Sequence, residues 1–175
     1  SMASSQRSMQ TSYAQLSSGS RITKAADDAA GLSISETLKS TIRGYSQAQR
    51  NANDGISMIQ VAEGGLGEVS NILTRLRELG VQAASDTVGD QERKFVNMEV
   101  QQLKSEIQRI SESNRFGDAK LLDGSGAEYA FQIDVNNNDF QDRIAFDASK
   151  QNATLESLGI DNFDFSDKVD AREAL

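Results

Sequence analysis

The chain has no histidine, cysteine, tryptophan or proline among its 175 residues. Without His or Cys, the commonest general base, the thiolate nucleophile and the usual zinc ligands are missing. Carboxylates, hydroxyls, Lys and Tyr are what remain for chemistry, so the composition points away from an enzyme. No disulfide can form, and cysteine pairing therefore says nothing about redox compartment. Basic charge is also scarce: 18 Lys and Arg stand against 26 Asp and Glu, a net charge of −8. That balance disfavours a nucleic-acid or anionic-membrane partner, since both need clustered Lys and Arg. At 6%, aromatic residues are sparse for a compact core of this length. They suit an elongated helical protein that completes its burial against neighbours. Apolar runs extend only a few residues, so no transmembrane helix is expected. The opening Ser1-Met2-Ala3-Ser4-Ser5-Gln6 has no basic n-region and no apolar h-region, which argues against a cleaved secretory signal there.

What is present is helical periodicity over a length that suits about one domain. Met2, Met9, Tyr13 and Leu16 form a weak stripe on a polar background, with a stop at Ser17-Ser18-Gly19. Residues 19–31 read as a connector with a helix start near Asp27 or Asp28. From Leu32 to about Ala84 the spacing predicts one long helix. Its second half carries Ile59, Ala62, Leu66, Val69, Leu73, Leu76, Gly80 and Ala83 at alternating three- and four-residue steps. Such a seam wants a partner helix. Gly64, Gly65 and Gly67 fall inside it and read as close helix packing, with a hinge as the alternative. A break at Ser85–Asp90 leads to a second, antiparallel helix from about Gln91 to Ser113, with a seam of Val96, Val100, Leu103, Ile107 and Ile110. Two seams leave an open flank, so a third helix is expected.

After Phe116 the period changes to two. Tyr129, Phe131, Ile133 and Val135 alternate with polar or small residues, Asn136–Asp139 is turn chemistry, and Ile144 and Phe146 mark a second strand. Residues 151–166 read as loop with apolar anchors at Leu155, Leu158, Ile160, Phe163 and Phe165, and Asp167 as the N-cap of a new helix. The fold class is mainly α: a long antiparallel helix pair of a coiled-coil-like bundle with a small β-hairpin region.

Three motifs imitate chemistry. Asp134-x-Asn136-x-Asn138 resembles the start of an EF-hand loop, but Asp139 stands where Gly is needed and Ala145 where a bidentate Glu belongs. Gly65-x-Gly67 lacks the preceding strand and third glycine of a nucleotide loop. Asp27, Asp28 and Glu92 suit helix N-termini better than an acid–base pair. No catalytic, cofactor or metal residue is assigned. Arg75 and Leu79 share a helix face with Gln82, which from spacing alone reads as a solvated face. An exposed Arg–Leu pair is also the form that a protein-binding hot spot takes.

Leu16-Ser17-Ser18-Gly19-Ser20-Arg21-Ile22, Asp27-Asp28-Ala29-Ala30-Gly31-Leu32 and Arg50-Asn51-Ala52-Asn53-Asp54-Gly55-Ile56-Ser57 together resemble the N-terminal signature of bacterial flagellin. The likeness continues through Arg75-x-Arg77-Glu78-Leu79-x-Val81-Gln82-Ala83 and Asn114-Arg115-Phe116-Gly117, and extends to about Leu122. It implies a structural, non-enzymatic filament subunit for motility, with no cofactor. The subunit would leave the cell unfolded through the flagellar type III export apparatus and reside in the extracellular filament. Residues 1–31 would be the end of the inner-tube helix and the spoke connector, and 32–113 the outer-tube bundle. Residues 114–166 would be the small β region and loops, and 167–175 the start of a C-terminal helix.

Partners implied by the resemblance are other flagellin subunits and the flagellin-sensing Toll-like receptor, for which the matching positions are Arg75, Glu78, Leu79, Gln82 and Glu99. Thr74 and Gly80 depart from the residues associated with strong agonists. Compared with the family, the chain looks like a fragment that lacks the first residues and the C-terminal helices. Ser1 would be a cloning scar, and self-assembly into filaments is not expected from these residues alone. A hook–filament junction protein is the alternative, disfavoured by the near-complete signature from Leu16 to Ile56.

Overall fold

The computed structural model describes residues 2–19, 21–22 and 28–174. Helix α1 (Met2–Ser18) carries the weak stripe, and Met2, Met9, Tyr13 and Leu16 are all exposed. Asp27 lies outside the described residues. Asp28 caps helix α2 (Ala29–Ala83), its carboxylate accepting the Gly31 amide at 2.9 Å and satisfying one of the unpaired N-terminal donors. With no proline to interrupt it, α2 runs 55 residues. Its many hydroxyls are accommodated by bonding back one turn, as Thr37 does to the Ser33 carbonyl and Thr74 to that of Ser70.

The buried stripe of α2 is Ala48, Gly55, Met58, Ala62, Gly65, Val69, Leu76, Leu79, Gly80 and Ala83. Ala62, Val69, Leu76, Gly80 and Ala83 of the expected seam are buried and Leu73 is partly buried, but two positions shift by one residue. Ile59 and Leu66 face outward, Leu66 at 40% exposure, and Met58 and Gly65 take their places. The cause is glycine. A Cβ on Gly65 would stand 2.7 Å from Leu122 Cδ1 and 2.3 Å from Asn114 Nδ2, so this position is where the neighbouring layer comes closest. Packing, not a hinge, explains Gly65, whereas Gly64 and Gly67 face open space.

Helix α3 (Asp90–Ser113) returns antiparallel with Val96, Val100, Ile107 and Ile110 buried as expected and Leu103 half-buried. Three polar ties mark the register of the pair. At the turn, the almost fully buried Arg93 donates from Nε to the Ala83 carbonyl (2.9 Å) and from its terminal nitrogen to that of Ser85 (2.8 Å). It also pairs with Asp90 at 3.2 Å. A cation thus sits on the Ala83 carbonyl at the negative end of α2 and on the turn carbonyl of Ser85 just beyond it. In the middle, Arg75 pairs with Glu99 at 2.9 Å. At the far end, Asn114 Nδ2 donates to the Val61 carbonyl at 3.0 Å.

A small hairpin, β1 (Arg115–Phe116) with β2 (Ala119–Lys120), follows α3. The expected hairpin is β3 (Glu128–Gln132) with β4 (Arg143–Asp147), antiparallel and in register from Glu128–Asp147 to Gln132–Arg143. It lies on the first half of α2, where Phe131 meets Gly55, Val135 meets Gly44, and Asn51 Nδ2 donates to the Gln132 carbonyl at 2.9 Å. The remaining chain contains helix α4 (Leu155–Leu158) and helix α5 (Lys168–Glu173), the latter capped by Asp167 as expected. It covers the second half of the pair with Ile160, Phe165 and Ala171 buried, closing that part of the flank where a third helix was anticipated.

The shift at position 66 predicts unequal costs for two leucines ten residues apart on the same helix, Leu66 and Leu76. Leu76→Ala should cost about 2–5 kcal/mol, while Leu66→Ala should cost below about 1 kcal/mol, both read from urea unfolding. Equal losses would contradict the phase. Arg93→Met should cost about 2–4 kcal/mol, because two carbonyls lose a charged donor. A midpoint unchanged from wild type would show that Arg93 does not hold the turn.

Candidate functional site

Because α2 and α3 run antiparallel in this register, Glu99 stands beside Arg75. The Arg75 guanidinium donates to Glu99 Oε1 at 2.9 Å and to Glu78 Oε2 at 3.1 Å. The three side chains are between 43% and 63% exposed, so the cluster is solvent-facing and screened. The hydrogen bond to Glu99, followed by that to Glu78, raises the Arg75 pKa above its ordinary value. Gln82 is exposed two turns along from Arg75.

Leu79 does not join this surface. It is 1% exposed and belongs to the core cluster. Although it lies four residues after Arg75, it also lies three after Leu76 and four before Ala83, both buried, and the packing of that stripe decides its direction. The structure therefore brings Arg75, Glu78 and Glu99 together, leaves Gln82 in solvent on the same helix, and places Leu79 beneath. Arg77 borders a 220 Å³ groove lined by Leu73, Leu76, Ile160, Phe163, Phe165 and Ala174.

A second surface is apolar. On the N-terminal half of α2, Ile34, Leu38, Ile42 and Tyr45 are 51–64% exposed. Steps of four, four and three put them on one helix face, and Ile56 and Ile59 extend it toward the middle of α2. A stripe of this length is the form of a helix-docking seam.

The residues that imitate chemistry are engaged locally. Asn138 Oδ1 accepts the amides of Phe140 and Gln141, Asp134 accepts the Val135 amide, and the buried Asp142 accepts the Asn138 amide. These are the bonds of a polar turn, with the oxygens directed at backbone. Among the described residues Asp123 is the most perturbed carboxyl. Burial pushes it up, but bonds from the Lys120 ammonium and from the Ser125 hydroxyl and amide outweigh burial and hold it at about 2. Among the described residues no group of three or more Asp and Glu could hold a metal ion. No helix described is long and apolar enough to cross a membrane.

Arg93 and Lys104 were not singled out by sequence, yet each is a tie in the fold, the buried Lys104 donating from Nζ to the carbonyls of Asp161 at 2.6 Å and Phe163 at 3.0 Å. Their signal was polar residues at heptad spacing beside an apolar seam, which resembles a solvated face until a neighbour is placed against it.

The family model for the bacterial flagellin N-terminal helical region matches residues 1–127. The chain is 42% identical over 166 residues to a flagellin of Halalkalibacterium halodurans, covering 95% of this chain and 60% of that protein. It is 50% identical over 125 residues to flagellin A of Vibrio cholerae, covering 71% of this chain and 33% of the relative. The crystal structure of Bacillus cereus flagellin superposes with a TM-score of 0.60 at 27% identity, over 72% of this chain and 70% of that one. The chain thus spans between a third and three fifths of the length of these two curated relatives.

Proposed function

The chain belongs to the bacterial flagellin family, and from that premise we propose that it works as a structural subunit of the flagellar filament. The observation that carries this reading is the exposed apolar stripe of Ile34, Leu38, Ile42 and Tyr45 on an uninterrupted helix. Burial of such a stripe between helices is worth roughly 25 cal/mol per Å² of apolar area, which gives assembly its driving force. In this proposal residues 1–31 supply the end of an inner-tube helix and a spoke, and 32–113 the outer-tube bundle. Residues 114–166 supply the β region, and 167–175 open a C-terminal helix. The partners are further flagellin subunits, after export through the type III apparatus, and the setting is extracellular.

Leu38→Glu combined with Ile42→Glu, made in the flagellin that carries this chain, should abolish sedimentable filaments while leaving the unfolding of the α2–α3 pair unchanged. Filaments of normal yield would overturn the assembly reading.

Recognition by the flagellin-sensing Toll-like receptor is the second part of the proposal. Arg75, Glu78, Gln82 and Glu99 form its polar face, with Arg75 held out by two carboxylates. Leu79 contributes from below by supporting the helix surface. Arg75→Ala should weaken binding to the receptor ectodomain roughly thirtyfold, as a hot-spot Arg does, with the melting temperature preserved. Leu79→Ala should lower the melting temperature as well. Unchanged affinity for Arg75→Ala would remove this face from the proposal.

A further inference from the structure

The turn between β3 and β4 is polar at every position from Asn136 to Asp142 except Phe140. Phe140 is 93% exposed, the most exposed large apolar side chain among the described residues. Apolar residues scattered singly over a surface are ordinary, so the turn that carries this one decides its meaning.

That turn is wired to its own backbone. Asn138 Oδ1 accepts the amides of Phe140 at 3.0 Å and Gln141 at 3.2 Å. The buried Asp142 accepts the Asn138 amide at 2.7 Å, and its own amide donates to the Asn138 carbonyl at 2.8 Å. Gln132 Nε2 donates to the carbonyls of Asp134 at 2.9 Å and Asn136 at 2.7 Å. Arg143 donates to Gln132 Oε1 at 3.0 Å and to Asn137 Oδ1 at 2.7 Å, and it pairs with Asp139. Bonds on both sides of position 140 fix the main chain while the ring stands in solvent. A turn fixed in this way gives up little conformational freedom on docking, which is the form of a preorganised anchor.

Its place in the subunit gives it a direction. The hairpin runs along α2 from Phe131 at Gly55, through Gln132 at Asn51, to Val135 at Gly44. Val135, where the turn begins, is therefore level with Ile42 and Tyr45 of the exposed α2 stripe. At 3.6 residues per turn, positions 44 and 45 face about 100° apart around the helix. The stripe and the turn thus present apolar groups in two directions near one level of the subunit. A single head-to-tail contact repeats into one strand of subunits, and a tube needs a second contact in another direction.

We propose that Phe140 is an anchor between subunits, docking on a second copy of this chain at a contact distinct from that of the α2 stripe. The proposal rests on the assembly reading above and adds a second interface to it.

Polymerisation of the flagellin that carries this chain tests it. Phe140→Ser should raise the critical concentration for assembly by at least about tenfold, with the unfolding midpoint of the monomer unchanged. Phe140→Tyr, which keeps the aromatic face, should bring that concentration back to within about threefold of wild type. The thiol of Gln141→Cys, read at the peptide that contains it, should react quickly with a maleimide in the monomer. In filaments it should react at least about tenfold more slowly, since the surroundings of an anchor exclude water. An unchanged critical concentration for Phe140→Ser would overturn the anchor and leave the α2 stripe in place. Equal thiol reactivity in monomer and filament would overturn it as well. Slow reaction already in the monomer would assign the cover to another part of the same chain and end the proposal. If the unsubstituted flagellin forms no filaments, the assembly reading fails and this contact falls with it.

Discussion

The register between α2 and α3 is the constraint from which the other placements follow. Arg93, Arg75 and Asn114 tie the pair at its turn, middle and far end. The Arg93 tie differs in kind from the other two. It is buried, it answers the Ala83 carbonyl that a helix end cannot pair internally, and its charge has the sign that the α2 dipole favours. The Arg75–Glu99 pair is exposed, so it marks the register more than it enforces it. Asn114 is placed tightly enough that its Oδ1 is buried without a hydrogen-bond partner. That costs desolvation, and it is accepted where Gly65 lets the two helices and Leu122 meet.

Small residues on α2 decide what else docks and where. Gly44 receives Val135, Gly55 receives the Phe131 ring, and Gly65 receives Leu122 and Asn114. A methyl group at any of these would meet a neighbour at 3.0 Å or less, so the β layer is keyed to notches rather than to a broad apolar face. The large apolar residues Ile34, Leu38, Ile42 and Tyr45 are left on another face of the same helix. One helix thus separates two tasks: its notched side builds the subunit, and its bulky side supplies the surface proposed for assembly.

That division explains what the sequence could reveal. The α2 and α3 boundaries, the β3–β4 hairpin and the Asp167 cap were legible because each is written in a period or a capping residue. Most of the α2 seam was legible too, but two of its positions were not, since the three-four spacing of Ile59 and Leu66 outweighed the neighbouring Met58 and Gly65. A glycine contributes no apolar area and becomes a core residue only when the adjoining layer is known. Leu79 was misplaced for a related reason: it satisfies the spacing of both the Arg75 face and the Leu76 stripe, and burial chose the latter. The two-residue strands β1 and β2 are too short to show alternation. Asn97, Gln101, Lys104 and Gln108 recur on α3 at heptad-like steps, but they bond backbone of residues 155–165, which has no sequence signal.

A direct distance tests the register itself. Spin labels at positions 75 and 99 should report a short separation by pulsed electron resonance. Moving the second label to position 109 should displace it by about 15 Å along the helix axis, at 1.5 Å per residue. The account predicts a clearly longer distance for the 75–109 pair than for 75–99. A 75–109 distance equal to or shorter than the 75–99 distance would contradict it.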